Sequence, residues 1–247
     1  MNEREYHDRH YEADAGIMQG ALFRRVHDRG ARQFLRATRA GRAHRVLSLG
    51  CGDGSIERRL APHVGEIVGM DISPVAIAQA RAKSAGVANL SFLVSETIPP
   101  GDFDIIAAFA FLHHLDDAAI RDVLRAARKA LRPGGVFYSS DPSRRRLVRL
   151  LAGLVRKAYK RYHSPDEREL DPEALAALAG EAGFGRAAIG YTDYFLGPLA
   201  WLASGAPGWL AGPLEALDNL ALSLPILRRH ASSFCLCASS TSSSPRS

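Results

Sequence analysis

Three glycines at alternate positions, Gly50, Gly52 and Gly54, follow an apolar run directly in "VLSLGCGDGS", Val46 to Ser55. Glycine lets the backbone approach a ligand with no Cβ in between, so such a turn at the end of a strand suits close contact. The dinucleotide fingerprint G-x-G-x-x-G would put its third glycine at position 55, which is Ser55. The turn therefore departs from the form that seats a pyrophosphate on a helix N-terminus. Asp71 follows Gly50 by 21 residues, and a carboxylate at the end of a second strand accepts hydrogen bonds from both hydroxyls of a ribose. An adenosine-type ligand that needs no phosphates is implied. The other chemistry on offer is proton transfer by His113 and His114, which follow the apolar run "DIIAAFAFL". Histidine titrates near neutrality and can take the proton of a hydroxyl. Only one of two adjacent side chains points into a given crevice. We assign that place to His114; the alternative is that it only lines the pocket or caps a turn.

These residues need a frame to hold them. From residue 45 onward "RVLSLG", a helix from Ser55 to Ala61, "EIVGMD" and a helix opening at Ser73 alternate, followed by strands at "NLSFLV", "DIIAAFAF" and "GGVFYSSD". A helix from about Ala118 to Leu131, closed by "RPGG", separates the last two. This alternation predicts βαβ units and a parallel sheet. Ser73 suits an N-cap, Pro74 the first helical position and Gly86 the helix end. Residues 14 to 40 read as an amphipathic helix broken around Gly30. After Pro142 come a basic helix, a helix opening at "DPEALAALAGEAGFG", a strand near Ala187 to Tyr191, an apolar region rich in Gly and Pro, and the strand "SSFCLCA". The expected organisation is one domain over 1–238, with a helical leader (1–42), a cofactor-binding half (43–142) and a variable substrate or cap half (143–238). The Ser-rich tail 239–247 has too little apolar surface to pack and is expected to be disordered.

Composition sets the outer bounds. A chain of 247 residues with 47% hydrophobic and 23% charged content fits one α/β domain with a buried core. The charged start "MNEREYHDRHYEADAG" has no apolar core of a secretory signal or anchor, so a cytoplasmic location is expected. Cys51, Cys235 and Cys237 cannot build a disulfide framework or a zinc site at recognised spacing and read as buried thiols. His7 and His10 sit one helical turn apart without a carboxylate at matching spacing, and no metal is expected. A net charge of +6 favours contact with something acidic without choosing it.

"VLSLGCGDG", "IVGMDISPVAIAQAR", "FDIIAAFAFLHHL" and "LRPGGVFY" occur in that order, and together they resemble the class I S-adenosylmethionine-dependent methyltransferases from residue 45 to about 140. The resemblance implies a doubly wound, mainly parallel, seven-stranded Rossmann-like sheet with helices on both faces, a helical cap and an antiparallel last strand. It places Gly50, Cys51, Gly52 and Gly54 against the methionine part of S-adenosylmethionine and Asp71 on its ribose. Ile72 then lines the adenine pocket, Glu96 beside Thr97 meets the adenine amino group, and Phe109 and Ala110 border the cofactor. Two departures stand out. Ser48 occupies the position, two before the first glycine, where the family usually has an acid. "AFAFLHHL" also lacks the Asn or Asp, Pro-Pro and aromatic signature of base methylation, so no sequence-specific nucleic-acid partner is expected. Methyl transfer is an in-line displacement governed by positioning, to which His114 would add a general base for a hydroxyl acceptor.

The acceptor site is expected after Pro142. Arg145, Arg149, Arg156 and Lys160 share one helical sector, widened by Lys157 and Arg161, while Leu147, Leu151, Leu154, Ala158 and Tyr162 fall opposite. Such a face meets an anionic membrane, grips a phosphorylated group, or is simply solvated above a packed stripe. "YFLGPLAWLASGAPGWLAGPL" holds 21 uncharged residues interrupted by four glycines and three prolines. That argues against a spanning helix and for short helices forming an apolar lid, with Trp201 and Trp209 lining a pocket or dipping into an interface. The expected reaction is methyl transfer to O or C of a small hydrophobic acceptor such as a lipid, isoprenoid quinone or polyketide-like metabolite. Peripheral contact with the inner membrane surface through 144–162 and 194–214 is the companion expectation, with no obligate protein partner. The rivals are an NAD-linked oxidoreductase on a related sheet and a non-catalytic module that binds cofactor or membrane and regulates a partner.

Overall fold

The computed structural model describes residues 20–147, 167–203 and 205–240. The expectations for His7 and His10, for the basic helix from residue 148 onward and for the tail from residue 241 lie outside the described residues. The chain runs α1 (Ala21–Thr38), β1 (Arg45–Leu49), α2 (Ser55–Leu60), β2 (Glu66–Asp71), α3 (Pro74–Lys83), β3 (Leu90–Val94), β4 (Phe103–Phe109), α4 (Asp117–Ala130) and β5 (Leu131–Pro142). It continues through α5 (Pro172–Glu181), β6 (Ala187–Asp193), α6 (Leu196–Leu202), α7 (Ala211–Ser223), α8 (Pro225–Arg228) and β7 (Ser233–Ser239).

The seven strands form one sheet in the order β3-β2-β1-β4-β5-β7-β6. β1 to β5 pair in parallel, and β7 runs antiparallel to both β5 and β6. The strand order reverses between β1 and β4, and in open sheets of this kind ligands bind beyond the carboxyl ends of the strands at that switch point. Period two sorts the side chains. Leu47 and Leu49 face a core shared with Ile120 and Leu124 of α4 and Leu175 and Leu178 of α5. Val46 faces the opposite core, with Ala31 and Phe34 of α1 and Leu60 of α2. β4 is buried at every position, as a central parallel strand covered on both faces must be.

Local signals fixed several boundaries. The Ser73 hydroxyl caps α3 by accepting from Ala76 N–H at 3.0 Å, and Asp116 caps α4 by accepting from Ala119 N–H at 2.8 Å. Two expectations are corrected. α1 passes through Gly30 without a break. Buried Leu22 and Phe23 anchor it on one side of the glycine, and Ala31 and Phe34 on the other, so packing outweighs a helix-propensity cost of about 1 kcal/mol. Arg25, Arg29 and Arg32 along the same helix also converge on Glu215 of α7. The expected tail also starts late: β7 extends through Ser239, and Ser240 N–H donates to the Gly135 carbonyl at 2.8 Å.

A Cβ at Gly30 would meet nothing within 4 Å. Gly30→Ala is therefore expected to stabilise the fold by about 1 kcal/mol by removing backbone entropy from the unfolded chain. Urea unfolding measures it; a midpoint shift to lower urea would contradict the open, helical setting of that residue.

Residues 194–203 and 205–214 form α6, a short turn and the start of α7. They pack Leu196, Ala200 and Ala211 against Leu22 and Phe23. No helix among the described residues is long and apolar enough to cross a membrane.

Candidate active site

The glycine turn leaves β1 with three left-handed residues, φ being +62° at Gly50, +53° at Gly52 and +73° at Gly54. That conformation is strained for side chains. Space forbids them too: a Cβ at Gly50 would lie 2.5 Å from the Phe111 ring, and one at Gly54 would lie 2.6 Å from the Phe92 ring. Asp71 at the end of β2 is tied to this turn. Its Oδ2 accepts from Gly52 N–H and its Oδ1 from Ser73 N–H, both at 2.9 Å. Each carboxylate oxygen keeps a further lone pair for a ligand hydroxyl.

Asp53, inside the turn, pairs with Lys83 at 2.7 Å and accepts from the Ser55 hydroxyl at 2.6 Å. Burial alone would raise its carboxyl, but the Lys83 and Ser55 hydrogen bonds outweigh burial and hold it below the usual range. Burial first, then the Glu57 and Asp71 carboxylates, push the Cys51 thiol well up. It is a neutral thiol at physiological pH and not a nucleophile. Cys235 and Cys237 are likewise free, the first buried and the second partly so.

Glu57 was not singled out from sequence. It stands on α2, almost wholly buried, and accepts from the Ser48 hydroxyl at 2.6 Å. Burial pushes its carboxyl up to about 7, the Ser48 hydrogen bond offsetting part of the effect.

Beside Asp71, the end of β3 carries the other expected adenine-side residues. Val94 pairs with Asp71, and the Ser95 hydroxyl donates to the Thr97 carbonyl at 2.7 Å. Glu96 and Thr97 are exposed in that loop, and Ile72 is half-buried. The Phe109 ring belongs to the core, 5.6 Å from the rings of both Phe34 and Tyr138, so only its backbone faces the strand end. Ala110 is exposed with φ +49°, a left-handed position that a residue with a Cβ enters at a cost, as strained positions at functional sites do.

His113 and His114 occupy a short turn after β4, their rings 4.1 Å apart. His113 is buried; its N–H and its Nδ1 lie 3.2 and 3.3 Å from Asp141 Oδ1 at the end of β5. His114 is more open, with Nδ1 4.0 Å from Glu167 Oε1. Arg168 delivers that glutamate: its N–H donates to the His113 carbonyl at 3.0 Å and its Nε to the Leu115 carbonyl at 2.7 Å. Asp141 and Glu167 were also not singled out from sequence. His113, His114 and Glu167 each present an atom within 4.8 Å of the others, an arrangement that can also hold a small cation. The two turns touch, because the Phe111 ring lies on bare Gly50 and the Phe111 carbonyl accepts from His114 N–H at 3.2 Å. A separate cavity of about 470 Å³, lined by Tyr191, Leu222, Arg228 and Arg229, lies at the β6 edge, with β5 and β7 between it and β4.

Residues 47–137 match the family described as a methyltransferase domain. The ubiquinone biosynthesis O-methyltransferase of Pseudomonas aeruginosa (strain LESB58) is 29% identical over 156 residues, covering 59% of this chain and 66% of that protein. The match thus spans just under two thirds of the relative's length. A chain of the complex between the Haloferax volcanii Trm112 methyltransferase activator and a methyltransferase superposes with a TM-score of 0.67 at 18% identity, covering 99% of this chain and 100% of that one.

Residues 47–137 thus carry a methyltransferase domain, and the chain is similar to S-adenosylmethionine-dependent methyltransferases of the class I fold. The phosphoethanolamine N-methyltransferase 2 of Haemonchus contortus, in complex with S-adenosyl-L-methionine, shares the fold at a TM-score of 0.66 and 17% identity over 97% of this chain and 60% of that one. The matched residues 47–137 hold the glycine turn, Asp71 and both histidines. Asp141 and Glu167 lie beyond them.

Proposed function

We propose that this chain transfers a methyl group from S-adenosylmethionine to an oxygen of a small, hydrophobic acceptor. The observation that carries the reading is the contact of the two turns, which brings the left-handed glycine turn, the Asp71 carboxylate bound to it and the half-buried His114 to one sheet edge. The residues present fit the cofactor. Gly50, Gly52 and Gly54 hold the left-handed turn that would meet its amino-acid end, Asp71 offers acceptors for two ribose hydroxyls, and Ile72, Glu96 and Thr97 flank the adenine side. When bound, the cofactor supplies a methyl group on a cationic sulfur, open to in-line attack.

The remaining work falls to the protein. Asp141 pins the buried His113 and so fixes the turn. His114 takes the acceptor's proton, held in orientation by Glu167. The relatives named for ubiquinone biosynthesis favour a phenol- or quinol-type acceptor. Residues 43–142 serve the cofactor and 143–238 the acceptor.

Purified protein incubated with labelled donor and a quinol precursor tests this: label in the organic phase supports it, and absence of binding to S-adenosylhomocysteine by calorimetry overturns it. Chelation separates base from metal. Unchanged turnover after EDTA agrees with His114 as a base, and turnover restored only by a divalent cation would make the same triad a ligand set.

The apolar segment adds a surface. Trp201 packs edge-on against Phe23, ring centroids 4.8 Å apart, whereas Trp209 is 71% exposed and Ile226 is 82% exposed. Through 194–214 the protein would rest on a membrane holding its greasy acceptor. Trp209→Ala is expected to weaken flotation with anionic liposomes several-fold while leaving unfolding unchanged; equal flotation of both proteins removes the membrane contact.

A further inference from the structure

The site as described gives no task to the buried carboxyl of Glu57. Its Oε1 accepts from the Ser48 hydroxyl at 2.6 Å. Its Oε2 is buried and accepts from nothing among the described residues. Buried acceptors are nearly always satisfied in native proteins, and one that is not asks for a missing partner.

The sheet makes room for this carboxyl. Ser48 lies in a cross-strand row with Gly69 on β2 and Ala107 on β4, so three small residues adjoin on that row. A Cβ at Gly69 would lie 2.9 Å from Cys51 Sγ and 2.7 Å from the Phe92 ring. The space left by Gly69 is thus filled by the Phe92 ring and the glycine turn's own cysteine, whose thiol is pushed up by burial and then by the Glu57 carboxylate. Glu57 therefore lies under the turn. Of the acids gathered there, Asp53 has Lys83 at 2.7 Å and Arg58 at 3.9 Å, and Asp71 holds two backbone N–H groups. Glu57 has a hydroxyl on one oxygen and no hydrogen-bond donor on the other.

We propose that Glu57 receives the α-ammonium at the amino-acid end of the cofactor, α2 supplying the carboxylate that β1 lacks at Ser48. The assignment rests on the cofactor reading above. An ammonium brings three N–H donors, whereas a sulfonium brings none, so only the former can complete an orphaned acceptor. Charge assistance makes such a bond among the stronger ones.

A proton is linked to this step. The carboxyl is pushed up to about 7 by burial, so below neutrality it is largely protonated in the free protein. An ammonium favours the ionised form, so binding releases a proton below that value and none well above it, and affinity rises with pH up to the same range. The groups facing it are Ser48 on β1, Cys51 and Asp53 in the turn and Arg58 on α2. From α1, His27 faces the same turn, and burial, then Arg59, bring it down to about 4, so it stays neutral where Glu57 titrates.

Calorimetry on wild type and Glu57→Gln, with S-adenosylhomocysteine and with methylthioadenosine, which lacks the amino-acid end, tests the assignment. Buffers of different ionisation enthalpy read the protons. Expected are an affinity loss on the order of 10- to 100-fold for S-adenosylhomocysteine in the variant, no proton release in the variant, and unchanged methylthioadenosine binding. Ser48→Asp placed in the Glu57→Gln background is expected to recover most of the loss. Equal loss for both ligands, or loss for neither, overturns the assignment while leaving the cofactor reading standing. A double variant as weak as Glu57→Gln overturns the claim that the two positions serve one group. Wild type that binds neither ligand overturns the cofactor reading and this assignment with it.

Discussion

Asp71→Ala is expected to lower the affinity for S-adenosylhomocysteine on the order of 100-fold or more, and calorimetry on purified protein measures it. Two losses combine in that figure. The variant gives up two acceptors for the ribose hydroxyls, and it releases the Gly52 and Ser73 N–H groups that both hold the carboxylate at 2.9 Å. Without that tie, three left-handed glycines at alternate positions have little to fix them.

Asp71→Asn is expected to be nearly as damaging. Each carboxylate oxygen takes one backbone donor, and an amide has a single oxygen, so one N–H would face an NH₂ group. Both variants should also unfold at lower denaturant, by about 1–3 kcal/mol for buried donors left without partners. If either binds within threefold of wild type, the ribose role of Asp71 is wrong.

Such a residue was legible because its neighbourhood is local in sequence. Glycines at alternate positions behind an apolar run, and an acid at the end of the next strand, follow from the period of a parallel sheet and from backbone sterics. The capping of α3 and α4 was legible for the same reason: Ser73 and Asp116 act within three residues of themselves. Glu57, Asp141 and Glu167 escaped because their roles exist only after packing. The first reaches from a helix to Ser48 on a strand nine residues back, and the second meets His113 across 28 residues. The third comes beside His114 only because Arg168 grips the His113 and Leu115 carbonyls. Gly30 misled in the opposite sense. A local breaker signal is weak against a helix anchored by buried residues on either side and by three arginines on Glu215.

His114→Ala is expected to lower kcat on the order of 100- to 10,000-fold, the range that general-base removal commonly gives. Donor binding should not move, because none of the groups proposed to hold the cofactor is His114. That split separates a base from a pocket wall, since a residue that only shaped the pocket would change KM or donor affinity as well. The neighbouring histidine provides the contrast. His113 is buried and bound to Asp141, so His113→Ala should destabilise the protein and lose donor and acceptor binding together. A rate within threefold of wild type would move proton acceptance elsewhere. The buried Asp141 and the half-buried Glu167 would then be the groups to examine, since both already stand at the same turn.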